Sequence, residues 1–121
     1  MSTSSTLSFY TPSQLHALMG DGEPLRVFDV RRHEAFVGNP TMIKGSERLD
    51  PSAIPARLAE LRSNQTSRHR LVMVCVYGHS VSQTATSIAH CHGWDAVYLA
   101  GGLEAWCLHK LPVVQAVMKG S

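Results

Sequence analysis

Val72-Met73-Val74-Cys75-Val76-Tyr77-Gly78-His79-Ser80-Val81-Ser82 is the stretch on which the reading of this chain turns. An apolar run, long enough for a buried strand, ends at one cysteine. A short loop with a single glycine follows. The periodicity then becomes helical, with Val81, Thr84, Ala85, Ile88, Ala89 and His92 recurring on one face. Strand, tight turn and helix N-terminus put Cys75 at the C-terminal tip of a strand, where open α/β sheets bind their ligands. A helix N-terminus presents unpaired N–H groups and the positive end of its dipole, which stabilise an anion. A thiolate at that place is stabilised and nucleophilic.

Outward from this stretch, strands and helices alternate. Thr11 N-caps a helix with Pro12 at its first position and Gln14 closing a capping box, after a short edge strand within Leu7 to Tyr10. Leu15, Leu18 and Met19 face the core, and Gly20 to Pro24 end that helix. Leu25 to Val30 is a strand with Asp29 and Arg31 at its tip. Residues 33–37 form one helical turn, broken by Gly38-Asn39-Pro40. Asp50-Pro51 opens a helix with the apolar stripe Ile54, Leu58, Leu61. Asn64 to Arg70 reads as a polar, basic solvent loop. Gly93 ends the helix after Cys75, a last strand follows Trp94, and Gly101-Gly102 turns into the final helix. The expected fold is α/β, a mainly parallel sheet of about five strands with helices on both faces. Residues 1–7 read as a flexible polar tail, 8–114 as the one domain and 115–121 as a C-terminal tail.

Composition narrows the function. With 121 residues and a hydrophobic fraction of 44%, the chain has material for one real core. A net charge of +2 is too small and scattered to indicate nucleic acid. Three widely spaced cysteines suggest neither a disulfide framework nor a zinc site, and point to a reducing, cytoplasmic setting. The polar N-terminus has no signal-peptide core, and no run is long enough to span a bilayer, so no membrane role is expected.

Three motifs in order resemble the rhodanese family, above all its small single-domain bacterial sulfurtransferases. The loop Cys75-Val76-Tyr77-Gly78-His79-Ser80 is similar to the family's active-site loop. Val27-Phe28-Asp29-Val30-Arg31 is similar to its strand with Asp-x-Arg. Asp95 to Trp106, with Gly101-Gly102-Leu103-Glu104-Ala105-Trp106, resembles its closing strand and helix start, and Leu111-Pro112-Val113 its usual ending. The likeness runs from about Ser8 to Val114. The family's His-Ile-Pro-Gly-Ala stands here as Met42-Ile43-Lys44-Gly45-Ser46, without the histidine or the proline.

The resemblance implies a rhodanese-like fold and thiosulfate sulfurtransferase activity. Cys75 would attack the outer sulfur of an anionic donor such as thiosulfate, release sulfite and carry a persulfide to cyanide, a thiol or a protein acceptor. The amides of Val76, Tyr77, Gly78, His79 and Ser80 would form the cradle for the growing charge, Gly78 permitting the curl. The reading needs no cofactor and no metal. Ser80 stands where many relatives carry arginine, adding a hydroxyl but no charge.

The remaining residues carry structural alternatives. Asp29 and Arg31, supporting the rim of the site, read first as a buried carboxylate bonding loop amides and an arginine in a salt bridge, while Arg31-Arg32-His33 places positive charge beside Cys75. Tyr77 and His79 are either solvent-facing or in contact with leaving sulfite or acceptor. Cys91 and Cys107 read as small buried hydrophobes. His90 and His92 sit near a helix C-terminus, favourably for its dipole, and lack a converging third ligand. Two competing functions are a phosphatase or arsenate reductase of the same fold and a non-catalytic binding module. Cys75 argues against the second. Against the first, Val81 occupies the arginine position of a Cys-x-x-x-x-x-Arg loop, so no guanidinium fork is present to grip a tetrahedral oxyanion.

Overall fold

The computed structural model describes residues 8–63 and 69–116. The expected tail 1–7, with Leu7, and most of the loop after Ser63 lie outside these residues. In chain order the elements are β1 (Phe9–Tyr10), α1 (Pro12–Gly20), β2 (Leu25–Asp29), α2 (His33–Gly38), β3 (Thr41–Ile43) and β4 (Glu47–Arg48). A 3₁₀ turn (Pro51–Ala53) leads into α3 (Ile54–Ser63). Then come β5 (Arg70–Val74), α4 (Ser80–Cys91), β6 (Ala96–Leu99), α5 (Gly102–Leu108) and β7 (Val113–Gln115).

Five strands form one sheet in the order β1-β6-β5-β2-β4, and every pairing in it is parallel. β3 and β7 pair antiparallel outside it. Because β5 is central, both its faces are covered, which is why its sequence is continuously apolar rather than alternating. Leu71 and Met73 join the core under α3 and α4, with Phe28, Ile54, Leu58, Leu61, Ala85 and Ala89. Val72 and Val74 join the core under α1 and α5, with Leu15, Val97, Leu99, Leu103 and Trp106. The expected parallel sheet with helices on both faces is what the chain adopts.

The local signals acted as their chemistry dictates. The Thr11 hydroxyl accepts from Gln14 N while the Gln14 side chain accepts from Thr11 N, a complete capping box. The Asp50 carboxylate accepts from Ser52 N and opens the 3₁₀ turn. Three expectations need correction. Arg70 is not loop: it starts β5 opposite Leu25, and its guanidinium donates to Asp95 and to the Tyr10 hydroxyl. The buried face of α4 is Ser82, Ala85, Thr86 and Ala89, whereas Thr84 and His92 are exposed. Hydroxyls can be buried there because each is bonded: Thr86 Oγ1 donates to Ser82 O at 2.8 Å. Cys91 and Cys107 are exposed, not buried. Cys91 lies two residues past buried Ala89, about 200° around the helix, and Cys107 turns away from buried Trp106. At the C-terminal end, pairing continues to Gln115 opposite Thr41, and Ala116 N donates to Pro40 O, one to two residues beyond Val114.

Candidate active site

The connections leave β2 and β5 in opposite directions, β2 towards β4 and β5 towards β6. The crevice at the carboxyl ends of these two neighbours is therefore the topological switch point of the sheet. Asp29 pairs with Val74 there, so the segment after β2 and the loop after β5 emerge side by side. Between them opens a cavity of about 270 Å³, lined by Arg31, Arg32, Ala35, Cys75, Val76, Tyr77, His79, Ser80 and Val81.

Cys75 lies at its floor, only 5% exposed. Its Sγ is 3.1 Å from Ser82 Oγ, on the first turn of α4, and that hydroxyl also lies 3.4 Å from His79 O. The Ser82 proton can go to the carbonyl when sulfur is a thiol, or to sulfur when it carries charge. α4 begins at Ser80 after His79, and no side chain caps it, leaving its first-turn amides free for a ligand.

The loop's carbonyls explain where its amides point. Cys75 O accepts from Leu103 N at 2.8 Å and Val76 O from Glu104 N at 2.9 Å, both on the first turn of α5. Gly78 O accepts from Gln83 Nε2 at 3.0 Å and His79 O from Gln83 N at 3.0 Å. The peptide planes are trans, so each N–H points opposite to its plane's carbonyl. Tying back those four carbonyls turns the amides of Val76, Tyr77, His79 and Ser80 away from the protein groups that hold them. Among the described residues, none of the five amides from Val76 to Ser80 donates to a protein acceptor.

Glycine allows this close approach. Gly78 has φ +75°, and a Cβ there would lie 2.5 Å from Leu99 O and 2.7 Å from Gly101 N. Gly102, at φ +60°, would place a Cβ 2.5 Å from Val76 O and 2.6 Å from Gly78 N. The Cys75 loop and the turn before α5 thus meet backbone against backbone, in conformations that favour glycine.

At the neighbouring strand tip the Asp29 and Arg31 side chains are taken. Arg31 and Asp29 are each 1% exposed. Arg31 Nε and Nη2 donate to the Asp29 carboxylate at 2.9 and 2.7 Å, and its other donors reach Asn39 O and Thr41 O. The Asp29 carboxylate also accepts from Arg31 N. Arg48 donates to Asp29 O and lies over the Phe36 ring, where burial lowers its pKa below the ordinary arginine value. Arg31 touches the cavity, but its charge is spent on Asp29 and on clamping the β3 approach. Tyr77 and His79 are exposed at the mouth with their rings 6.5 Å apart, and Ser80 is exposed beside them. Val81 packs partly into the core.

The sequence reading had no role for Ser82 or Gln83. Neither has a local signal, since a hydroxyl seven residues after the cysteine and an amide eight after it meet the loop only once α4 has docked.

A model of the rhodanese-like domain matches residues 11–109. The chain belongs to the rhodanese family. This rhodanese-like domain is 33% identical over 96 residues to the thiosulfate sulfurtransferase GlpE of Stutzerimonas stutzeri, covering 78% of this chain and 80% of that protein. Among solved structures it is similar to a full-length protein from Lactobacillus plantarum, with TM-score 0.77, 26% identity, and coverage of 89% of this chain and 88% of that one. A protein of unknown function from Rhodopseudomonas palustris, described as a possible tyrosine phosphatase, shares the fold at TM-score 0.76 and 19% identity, over 89% of this chain and 85% of that one. Among the described residues of the rhodanese-like domain no helix is long and apolar enough to cross a membrane.

Proposed function

We propose that this rhodanese-like domain is a thiosulfate sulfurtransferase that carries sulfur as a persulfide on Cys75. The observation that carries the reading is the pairing of Cys75 Sγ, on a cavity floor, with a loop whose five amides lack protein acceptors among the described residues. The Cys75 thiolate attacks the outer sulfur of thiosulfate. The sulfur–sulfur bond of the donor breaks, and sulfite leaves with the electron pair. Three negative charges enter the step and three leave it. The persulfide then gives its terminal sulfur to cyanide or to a thiol, a protein thiol included, regenerating the thiolate. Hydrogen-bond donors set in place before the reaction are what such a step needs, because charge moves outward by one sulfur atom and no solvent has to reorganise.

The likeness to GlpE supports the substrate class, and the three free cysteines fit the reducing cytoplasm. The phosphatase reading has less behind it. The rim cation Arg31 is bonded to Asp29 and two carbonyls, and half-buried Val81 stands where that chemistry places its arginine. The test is intact mass. Thiosulfate should add one sulfur atom to the wild type, cyanide should remove it, and Cys75→Ser should stay unchanged in both steps. Cys75-dependent release of phosphate from an aryl phosphate, faster than thiocyanate formation, would overturn the reading.

A further inference from the structure

A dianionic donor entering this cavity meets loop amides but no guanidinium or ammonium from the loop, since Ser80 and Val81 stand at the positions where one could reach it. Among the described residues lining the cavity, two are arginines. Arg31 is immobilised by four acceptors, both oxygens of the Asp29 carboxylate and the carbonyls of Asn39 and Thr41. Arg32 is its opposite. It is exposed, and its side chain makes no hydrogen bond, ion pair or ring contact with another described residue. It stands at the N-cap of α2, in extended conformation with φ −64° and ψ 157°, so the chain has just left β2 at the switch point. Arg32 also lines a second, adjoining cavity between α3 and α4, together with Ser80 and Val81, and so stands where the two openings meet.

We infer that Arg32 is the donor-selecting residue: its guanidinium binds the sulfonate oxygens of the sulfur donor while Cys75 attacks the outer sulfur, favouring oxyanionic donors. The inference deepens the sulfurtransferase reading and rests on it. A guanidinium fork matches two oxygens of a sulfonate, and the same contact holds sulfite as it departs. Sulfur chemistry itself stays with Cys75, so Arg32 acts on donor affinity. An unbonded, exposed arginine is also one whose replacement leaves the fold alone.

The experiment compares two donors in the full chain: thiosulfate, and a small alkyl persulfide that has no sulfonate and whose leaving group is a thiolate without oxygens. With the persulfide, Cys75 takes the outer sulfur and the alkyl thiolate departs with the electron pair. Rates of persulfide formation on Cys75 are read by intact mass, and turnover by thiocyanate. For Arg32→Ala, kcat/KM with thiosulfate should fall about tenfold to a hundredfold, the contribution of one charge-assisted pair, mostly through KM. Arg32→Lys should recover part of this loss, and Arg32→Glu should be worse than alanine. The alkyl persulfide should react equally with wild type and Arg32→Ala. Unchanged thiosulfate kinetics in Arg32→Ala, or equal losses for both donors, would overturn the assignment of Arg32 while leaving the sulfurtransferase intact. A wild type that accepts sulfur from neither donor would overturn both.

Discussion

Two neighbouring strands end at the same crevice and end differently. At the tip of β2, Asp29 and Arg31 satisfy one another, and the donors left over clamp two backbone carbonyls. At the tip of β5, the loop from Cys75 gives four carbonyls to α5 and to Gln83, and among the described residues its amides have no protein acceptor. Both are polar places near the sheet's carboxyl edge, but only one has capacity left over. A polar cluster that closes on itself holds structure; one that leaves donors facing a cavity can hold a ligand. The unbonded Arg32 sits one residue beyond the closed cluster and so belongs with the open one.

This contrast can be broken most decisively at Cys75. Cys75→Ser should abolish thiocyanate production from thiosulfate with the thermal unfolding curve nearly unchanged; surviving turnover would move the chemistry elsewhere. At the closed end, Arg31→Ala leaves the buried Asp29 carboxylate without its hydrogen-bonded partner, with only Arg48 at 3.9 Å, and should cost about 3 kcal/mol in urea unfolding. A loss confined to activity would mean that the β2 tip is part of the chemistry rather than its support.

Gly102→Ala probes the contact on which the open end depends. Its Cβ would press on Val76 O and Gly78 N from a left-handed backbone. Turnover should fall about a hundredfold through loop misplacement, with about 1–3 kcal/mol lost in stability. Ser82→Ala removes the hydroxyl beside Cys75 Sγ and should lower the rate of persulfide formation about tenfold, measured by rapid-quench mass analysis. The smallest effects belong to the outlying thiols. Cys91→Ser and Cys107→Ser should each stay within about 0.5 kcal/mol of wild-type stability and keep most turnover. Both residues are exposed; partial desolvation by neighbouring atoms and then the Glu104 carboxylate push the Cys107 thiol up, which disfavours its thiolate.

Much of this was legible in sequence because it depends on neighbours in the chain. The Thr11 box, the Asp50 cap, the apolar run of β5 and the glycine after Cys75 all express local backbone needs, and each formed where its residues stand. Arg70 misled because a charged residue at a strand's start resembles a loop until its partners, Asp95 and Tyr10, arrive from distant segments. The two cysteines misled for a related reason. Cysteine's preference for burial says nothing about which way one helical position faces, and docking of the Ser82 and Trp106 faces turned both thiols outward.

By itself the sequence determined the strand–loop–helix around Cys75, the parallel α/β class and the family, since period, caps and glycines act over a few residues. Only the tertiary structure decided which donors remain free. That depends on the order β1-β6-β5-β2-β4, which brings the β2 tip beside Cys75, and on α5 and Gln83 taking the loop's carbonyls. Hydrogen-bond capacity is settled by partners far apart in the chain, so what is spent and what is spare appears only once the sheet has closed around the crevice.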